Sequence, residues 1–136
     1  MNITVSKAQG RVPVTILRLE GQLDGQNFQQ LIDRAKQLYG AGSRDFLLDL
    51  SDLAYISSAG LVALHTIALL ARGEAPPDPE QGWAAMKSLD RSRGAGKQEH
   101  VKVVNPTAEV NSVLDMVGFS QIFDIFSDQE QALKAF

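Results

Sequence analysis

A strand that passes into a helix through a pair of small polar residues constrains this chain more than any other feature. Phe46, Leu47, Leu48, Asp49 and Leu50 make a short apolar run of the kind expected from a central strand covered on both faces of a sheet. A polar break follows, and from about Ser58 to Ala71 the residues read as a helix. At the break stand Ser57 and Ser58, then Ala59 and Gly60, so the chain is stripped of bulk where a helix N-terminus emerges from a strand end. A hydroxyl in that place lies beside backbone N–H groups that have no partner within the helix. It suits an N-cap, an anion site or a serine that accepts a phosphate.

Upstream, Ile3 and Val5 alternate with Asn2, Thr4 and Ser6, Gly10 interrupts, and Val14 to Glu20 resumes as a second extended run. The pattern predicts a hairpin, with Pro13 at the start or unpaired edge of its second strand because proline cannot donate to a ladder. Gly21, Asp24 and Gly25 mark a turn. Phe28, Leu31, Ile32, Ala35 and Leu38 then recur at helical spacing behind Asn27, which with Gln30 resembles a capping box, and Gly40 or Gly42 supplies the positive φ that ends the helix.

Downstream, Val101, Val103 and Val104 predict a strand, and Asn105 with Pro106 reads as a cap and first helical residue. Val110, Val113, Leu114 and Val117 repeat at i, i+3, i+4 and i+7, with Gly118 as the stop. Ile122 to Phe126 is the last strand candidate, and Ser127 with Glu130 opens a final helix through Leu133 and Phe136. Strands alternating with helices after one hairpin predict an α/β domain with a mostly parallel sheet of four or five strands and about four helices. The segment from Arg72 to His100 departs from this pattern. It carries Pro76, Pro77, Pro79 and four glycines, offers one short amphipathic turn at Trp83, Met86 and Leu89, and reads as a flexible insertion at the end of the fold opposite the serines.

Composition sets the outer bounds. A chain of 136 residues, 44% hydrophobic and 21% charged, is of a size and make-up for a single domain with its own core, spanning residues 1–136. A formal charge of −3 gives no electrostatic footprint for nucleic acid. The absence of cysteine fits a reducing compartment, and a cytoplasmic location is expected. No membrane span is expected either: the longest apolar run, Gly60 to Ala71, is interrupted by His65 and Thr66 and falls short of the roughly 20 residues a spanning helix needs.

The plainest reading of the serine turn is an N-cap, since serine is among the favoured capping residues. Against it, the residue three after Ser58 is Leu61, so no side chain reaches back as in a capping box. A serine hydrolase is the enzyme reading. The nucleophile elbow is G-x-S-x-G, however, and Ile56 occupies the first glycine's place. His65 lies seven residues after Ser58, roughly 10 Å along a helix axis and too far to take its proton. Two histidines without a cluster do not make a metal site.

The run Asp49, Leu50, Ser51, then Leu53, then Tyr55, Ile56, Ser57, Ser58, Ala59, Gly60, Leu61 resembles the signature of bacterial anti-sigma factor antagonists of the STAS-domain family, and Gly21, Leu23 and Asp24 resemble the family's G-x-L-D turn. The resemblance implies a STAS fold and a regulator without enzymatic activity or a cofactor of its own. It implies partner switching: the unmodified protein binds an anti-sigma factor that is also a serine kinase of the histidine-kinase-like ATPase type. Phosphorylation releases it, a serine phosphatase restores it, and ATP belongs to the kinase. Ser58 would be the phosphoacceptor, with Ser57 the alternative, and Asp24, Ser57, Ala59, Gly60 and Leu61 would face the partner. Three departures stand beside the match. Ser57 occupies a position where many members carry aspartate, Val62 one where many carry arginine, and the segment from Arg72 to His100 is longer than the family connection. Members of this family also serve as non-switching scaffolds or small-ligand binders, which is the alternative reading.

Overall fold

A computed structural model of the protein describes residues 1–73 and 98–136. Strands β1 (Asn2–Gln9) and β2 (Pro13–Leu23) open the chain, followed by helix α1 (Phe28–Gly40), β3 (Phe46–Ile56) and α2 (Ser58–Ala71). After the undescribed stretch come β4 (Val101–Val104), α3 (Ala108–Met116), a 3-10 turn (Phe119–Gln121), β5 (Ile125–Phe126) and α4 (Gln129–Lys134). The five strands form one sheet in the order β1-β2-β3-β4-β5, antiparallel between β1 and β2 and parallel thereafter. The α/β class, the N-terminal hairpin, the mostly parallel sheet and the four helices among the described residues agree with the sequence pattern. The expected amphipathic turn at Trp83, Met86 and Leu89 lies outside the described residues.

Strand alternation divides the apolar side chains between two faces. Leu17, Leu19, Phe46, Leu48, Val101 and Val103 point to the side where α1, α2 and α3 bury Leu31, Ile32, Leu64, Ile67, Val110 and Leu114. Val14, Ile16, Leu47 and Val104 point to the other, where α4 contributes Ala132. Helix α2 is buried without interruption from Ala63 to Leu69, which explains why its sequence is apolar all round rather than on one stripe.

β3 is twice the length its apolar run implied. It continues past Leu50 to Ile56, and its buried residues change spacing from two to three: Leu50, Leu53 and Ile56 point inward while Ser51, Asp52, Ala54 and Tyr55 are exposed. The cause lies in the pairing with β2, where Arg18↔Asp49 is followed by Glu20↔Asp52, and Gly21↔Leu53 by Gln22↔Tyr55. Each shift inserts one extra residue into β3, a bulge that turns the next side chain back toward the core. Gly21, expected in a turn, sits inside β2 between these irregularities with φ at +102°, a conformation glycine adopts without strain. Across the outer face Arg18 Nε donates to Asp52 at 2.9 Å; this bond and the Asp52 charge raise the Arg18 pKa further, so the guanidinium stays charged.

Three expected caps are placed differently, and the one at Asn27 stands where expected without its side-chain bond. Asn27 precedes α1 but makes no side-chain cap bond, because its amide is spent on the preceding turn, and of the two expected glycines Gly42 carries the positive φ beyond the helix. Ser57, not Ser58, caps α2. Thr107, not Asn105 with Pro106, caps α3: its Oγ1 accepts from the Val110 N–H at 3.3 Å and donates to the Leu53 carbonyl at 3.1 Å. Asp128 replaces Ser127 at α4, where the Glu130 N–H reaches its carboxylate at 3.0 Å. The last strand is also shorter than Ile122 to Phe126, since Ile122 and Phe123 are buried after the 3-10 turn rather than paired in the sheet.

The expected insertion is tied to the fold by backbone hydrogen bonds at both of its ends. Arg72 and Gly73 close α2 with N–H bonds to the Ala68, Leu69 and Leu70 carbonyls. Gln98 is buried and donates its N–H to the Ile122 carbonyl at 2.7 Å, and the His100 carbonyl accepts from Phe46 at 2.8 Å. Both attachment points lie away from the serines, because α2 has fourteen residues and carries the chain about 20 Å back along the sheet.

Thr107 thus holds α3 and the end of β3 with one hydroxyl. Thr107→Val keeps the side chain's shape and removes both bonds. The expected loss is about 1–2 kcal/mol in urea unfolding, with the slope of the transition unchanged.

Candidate functional site

The C-terminal ends of parallel strands in an open α/β sheet form one rim, and the loops leaving them lie side by side. Here the loop after β2 and the one after β3 are joined directly, because the Ser57 N–H donates to the Leu23 carbonyl at 2.9 Å. That bond sets Asp24, the next residue, beside the serine turn.

Asn27 fixes the first loop. Its Oδ1 accepts from the Asp24 N–H at 2.9 Å and its Nδ2 donates to the Gln22 carbonyl at 2.7 Å. The Asp24 carbonyl accepts from Asn27 and Phe28, and its Oδ1 from the Gln26 N–H at 2.9 Å. Asp24 is therefore a turn aspartate in fact, half-buried, with one carboxylate oxygen engaged in the bend.

In the second loop the serines divide the work. Ser57 is half-buried; its side chain accepts from the Gly60 N–H at 3.4 Å and its carbonyl from the Leu61 N–H at 3.0 Å. Ser58 is the first helical residue and is exposed, and among the described residues its hydroxyl has no hydrogen-bond partner. The N–H groups of Ser58 and Ala59 likewise have no protein acceptor there. With no acidic residue in the first turn of α2, an exposed hydroxyl stands next to free amide donors and the positive end of the helix dipole.

Gly60 plays a different part from the one the sequence implied. It is buried, and a Cβ built there would lie 2.7 Å from the Ile56 Cγ1 and 2.9 Å from both the Leu23 Cγ and the Leu23 carbonyl oxygen. Its small size lets α2 seat against the ends of β2 and β3 and leaves nothing for a partner to touch. Ala59 and Leu61 are half-buried, Leu61 packing against the core. Tyr55, part of the signature run but not among the residues expected to face a partner, is 48% exposed just before the turn. His65 is buried within α2, and among the described residues no three histidine or acidic side chains are grouped to hold a metal ion.

A family model described as the Mlab, STAS domain matches residues 7–76, just over half of the 136-residue chain. The chain belongs to the STAS-domain family. The matched part of this STAS domain runs from the end of β1 through β2, the Asp24 loop, the serine turn and α2. Among solved structures it is similar to an anti-sigma factor antagonist from Mycobacterium paratuberculosis, with a TM-score of 0.68 and 16% identity over 98% of this chain and 92% of that one. A putative anti-sigma factor antagonist from Thermotoga maritima gives 0.65 and 18% over 97% and 92%. The Bacillus SpoIIAA protein in its phosphorylated form gives 0.55 and 14% over 97% and 96%. Similarity at such identities establishes a shared fold. Comparison with curated proteins gives no match. Among the described residues no helix is long and apolar enough to cross a membrane.

The geometry separates three small residues of the turn by their roles in stability. Gly60→Ala forces a shift of Leu23 or Ile56 and is expected to cost about 1–3 kcal/mol. Ser57→Ala removes a cap for about 1 kcal/mol, while Ser58→Ala stays within about 0.5 kcal/mol of the parent in thermal and urea unfolding.

Proposed function

We propose that this STAS domain is an anti-sigma factor antagonist that works by partner switching, with Ser58 as its phosphoacceptor. The observation that carries the reading is the exposed, unbonded Ser58 hydroxyl on the first turn of α2, beside free backbone donors. Support comes from the shared fold with anti-sigma factor antagonists, SpoIIAA in its phosphorylated form among them. In the unmodified state the rim formed by the Asp24 loop, Ala59 and Leu61 docks an anti-sigma factor that is also a serine kinase of the histidine-kinase-like ATPase type. ATP is the kinase's ligand, the chain is a substrate rather than an enzyme, and a serine phosphatase resets it.

Phosphorylation adds about −1.5 to −2 charges. In the free domain the N–H groups of Ser58 and Ala59 can receive them, so the fold tolerates the modification. Against a partner the same charge must be stripped of water, and a penalty of roughly 3 kcal/mol weakens binding about a hundredfold. Ser57 is the weaker acceptor because its oxygen already serves the Gly60 N–H and its side chain is half-buried.

Mass spectrometry of the protein isolated from its native host tests this. The expected result is a phosphate on the peptide holding Ser57 and Ser58, kept in Ser57→Ala and lost in Ser58→Ala. Retention in Ser58→Ala with loss in Ser57→Ala moves the assignment to Ser57. Asp24→Asn keeps an acceptor oxygen for the Gln26 N–H, so its thermal midpoint stays within about 2 °C while the extent of phosphorylation falls. A large fall in stability with normal phosphorylation would make Asp24 purely structural.

The second reading is a non-switching binding module that uses the same rim. It is favoured by Ser57 and Val62, which stand where many family members carry aspartate and arginine. Absence of phosphate at both serines under every growth condition would support it.

A further inference from the structure

At the end of the sheet away from the serine rim, a cleft of about 340 Å³ opens beside the start of β2 and the loop from α1 to β3. Its polar lining is Lys7, Thr15, Ser43, Arg44 and Asp45. Two of these are buried hydroxyls in contact: Thr15 is 4% and Ser43 9% exposed, and Thr15 Oγ1 donates to Ser43 Oγ at 2.8 Å. The pair has two protons and one bond. Whichever way that bond runs, one buried O–H is left without an acceptor among the described residues. Buried donors are ordinarily satisfied, so this one calls for an acceptor from outside the chain.

Two cations stand over the pair. Lys7 lies directly across from Thr15 in the β1–β2 ladder and, two residues beyond Val5, shares the inward face of that strand. An inward cation keeps an edge strand from pairing, and this one has no ion pair or hydrogen bond among the described residues. Arg44 is held in place: its Nη1 donates to the Tyr39 and Ser43 carbonyls at 2.7 and 3.0 Å, and its guanidinium lies 4.0 Å above the Tyr39 ring. Its Nε and Nη2 donors have no acceptor among the described residues. The negative features nearby are engaged. Asp45 Oδ1 lies 2.8 Å from His100 Nδ1, and at the negative end of α1 the Gln37, Leu38 and Tyr39 carbonyls accept from the N–H groups of Ala41, Gly42 and Ser43.

We propose that this cleft binds a phosphate group, free or carried by a small molecule, between Lys7, Arg44 and the unused hydroxyl of the Thr15 and Ser43 pair. An ammonium, a planar guanidinium fork and a hydroxyl on three separate segments suit an ion that accepts hydrogen bonds in several directions, which a tetrahedral oxyanion does better than a flat carboxylate. The cleft is also larger than one oxyanion. At about 340 Å³ it sits at the lower end of the range of small-molecule pockets, roughly 300–1,000 Å³, with room for the rest of a small phosphate ester. It opens at the starts of β2 and β3, whereas Ser58 follows the end of β3, so a ligand here leaves the serine rim uncovered.

An NMR titration of the full chain with inorganic phosphate, at constant ionic strength, tests the proposal. The expected result is saturable shifts gathered on the amides of Lys7, Thr15, Ser43 and Arg44, with a Kd of about 1 mM or lower, and no such response to chloride. Lys7→Gln, a change at an exposed side chain, should raise that Kd about tenfold. The double variant Thr15→Val with Ser43→Ala removes both hydroxyls at nearly constant shape and should weaken binding severalfold, while Arg34→Gln, a cation of α1 outside the cleft, should leave it unchanged. Glycerol 3-phosphate separates the two sources: tighter binding than inorganic phosphate places the group on a small molecule, and weaker binding makes the ligand the free ion. Shifts that are absent, unsaturable or matched by chloride overturn the proposal. So does a Kd that neither Lys7→Gln nor the double variant moves.

Discussion

The seating of α2 on the ends of β2 and β3 is the contact on which the rest of the rim depends. It combines a missing side chain at Gly60 with one backbone hydrogen bond, from Ser57 to Leu23. Residue 60 lies so close to Leu23 and Ile56 that even a methyl group would displace them. Once seated, the helix presents its first turn outward, and the only residue of that turn both exposed and free of bonds is Ser58. The orientation of the serine is thus a by-product of packing beneath it. No side chain holds Ser58 in place.

A second economy concerns hydrogen-bonding capacity at the rim. Ser57 and Thr107 each spend a hydroxyl on a helix cap, and Asn27 spends both ends of its amide on the Asp24 turn. These side chains satisfy donors that would otherwise be left at helix and strand ends. What remains unspent is concentrated at Ser58, its neighbouring amides and the outer oxygen of Asp24. A rim whose polar groups are mostly committed is stiff, and the few uncommitted ones are where another molecule can gain by binding.

The alternation of strand and helix was legible because each element obeys its own period: Ile3 and Val5 at two, Leu31, Ile32 and Ala35 at the helical spacing. The serine turn and the Asp24 turn were legible from residue types at a strand-to-helix junction and from the family resemblance. The second half of β3 was not, because its two bulges replace the two-residue period with a three-residue one that no strand template contains. Caps were misplaced by one or two residues wherever adjacent polar residues competed: Ser57 with Ser58, Asn105 with Thr107, Ser127 with Asp128. A one-dimensional pattern carries no information on which of two neighbouring hydroxyls or carboxylates turns back toward the helix. Asn27 was recognised as a helix neighbour, but its tertiary duty to Gln22 depends on how the loop folds over and has no local signature.

The bulged second half of β3 has a further consequence. A central strand of a parallel sheet is ordinarily confined to apolar residues, since both its faces are covered. By taking up two extra residues, β3 buries Leu50, Leu53 and Ile56 alone and leaves Ser51, Asp52, Ala54 and Tyr55 exposed. The strand keeps its place in the middle of the sheet while four of its residues are released from the demands of the core. Irregular pairing here acts as a licence for sequence variation: a scaffold that must stay the same beneath can change its exposed side chains next to the serine turn without touching a residue of the core.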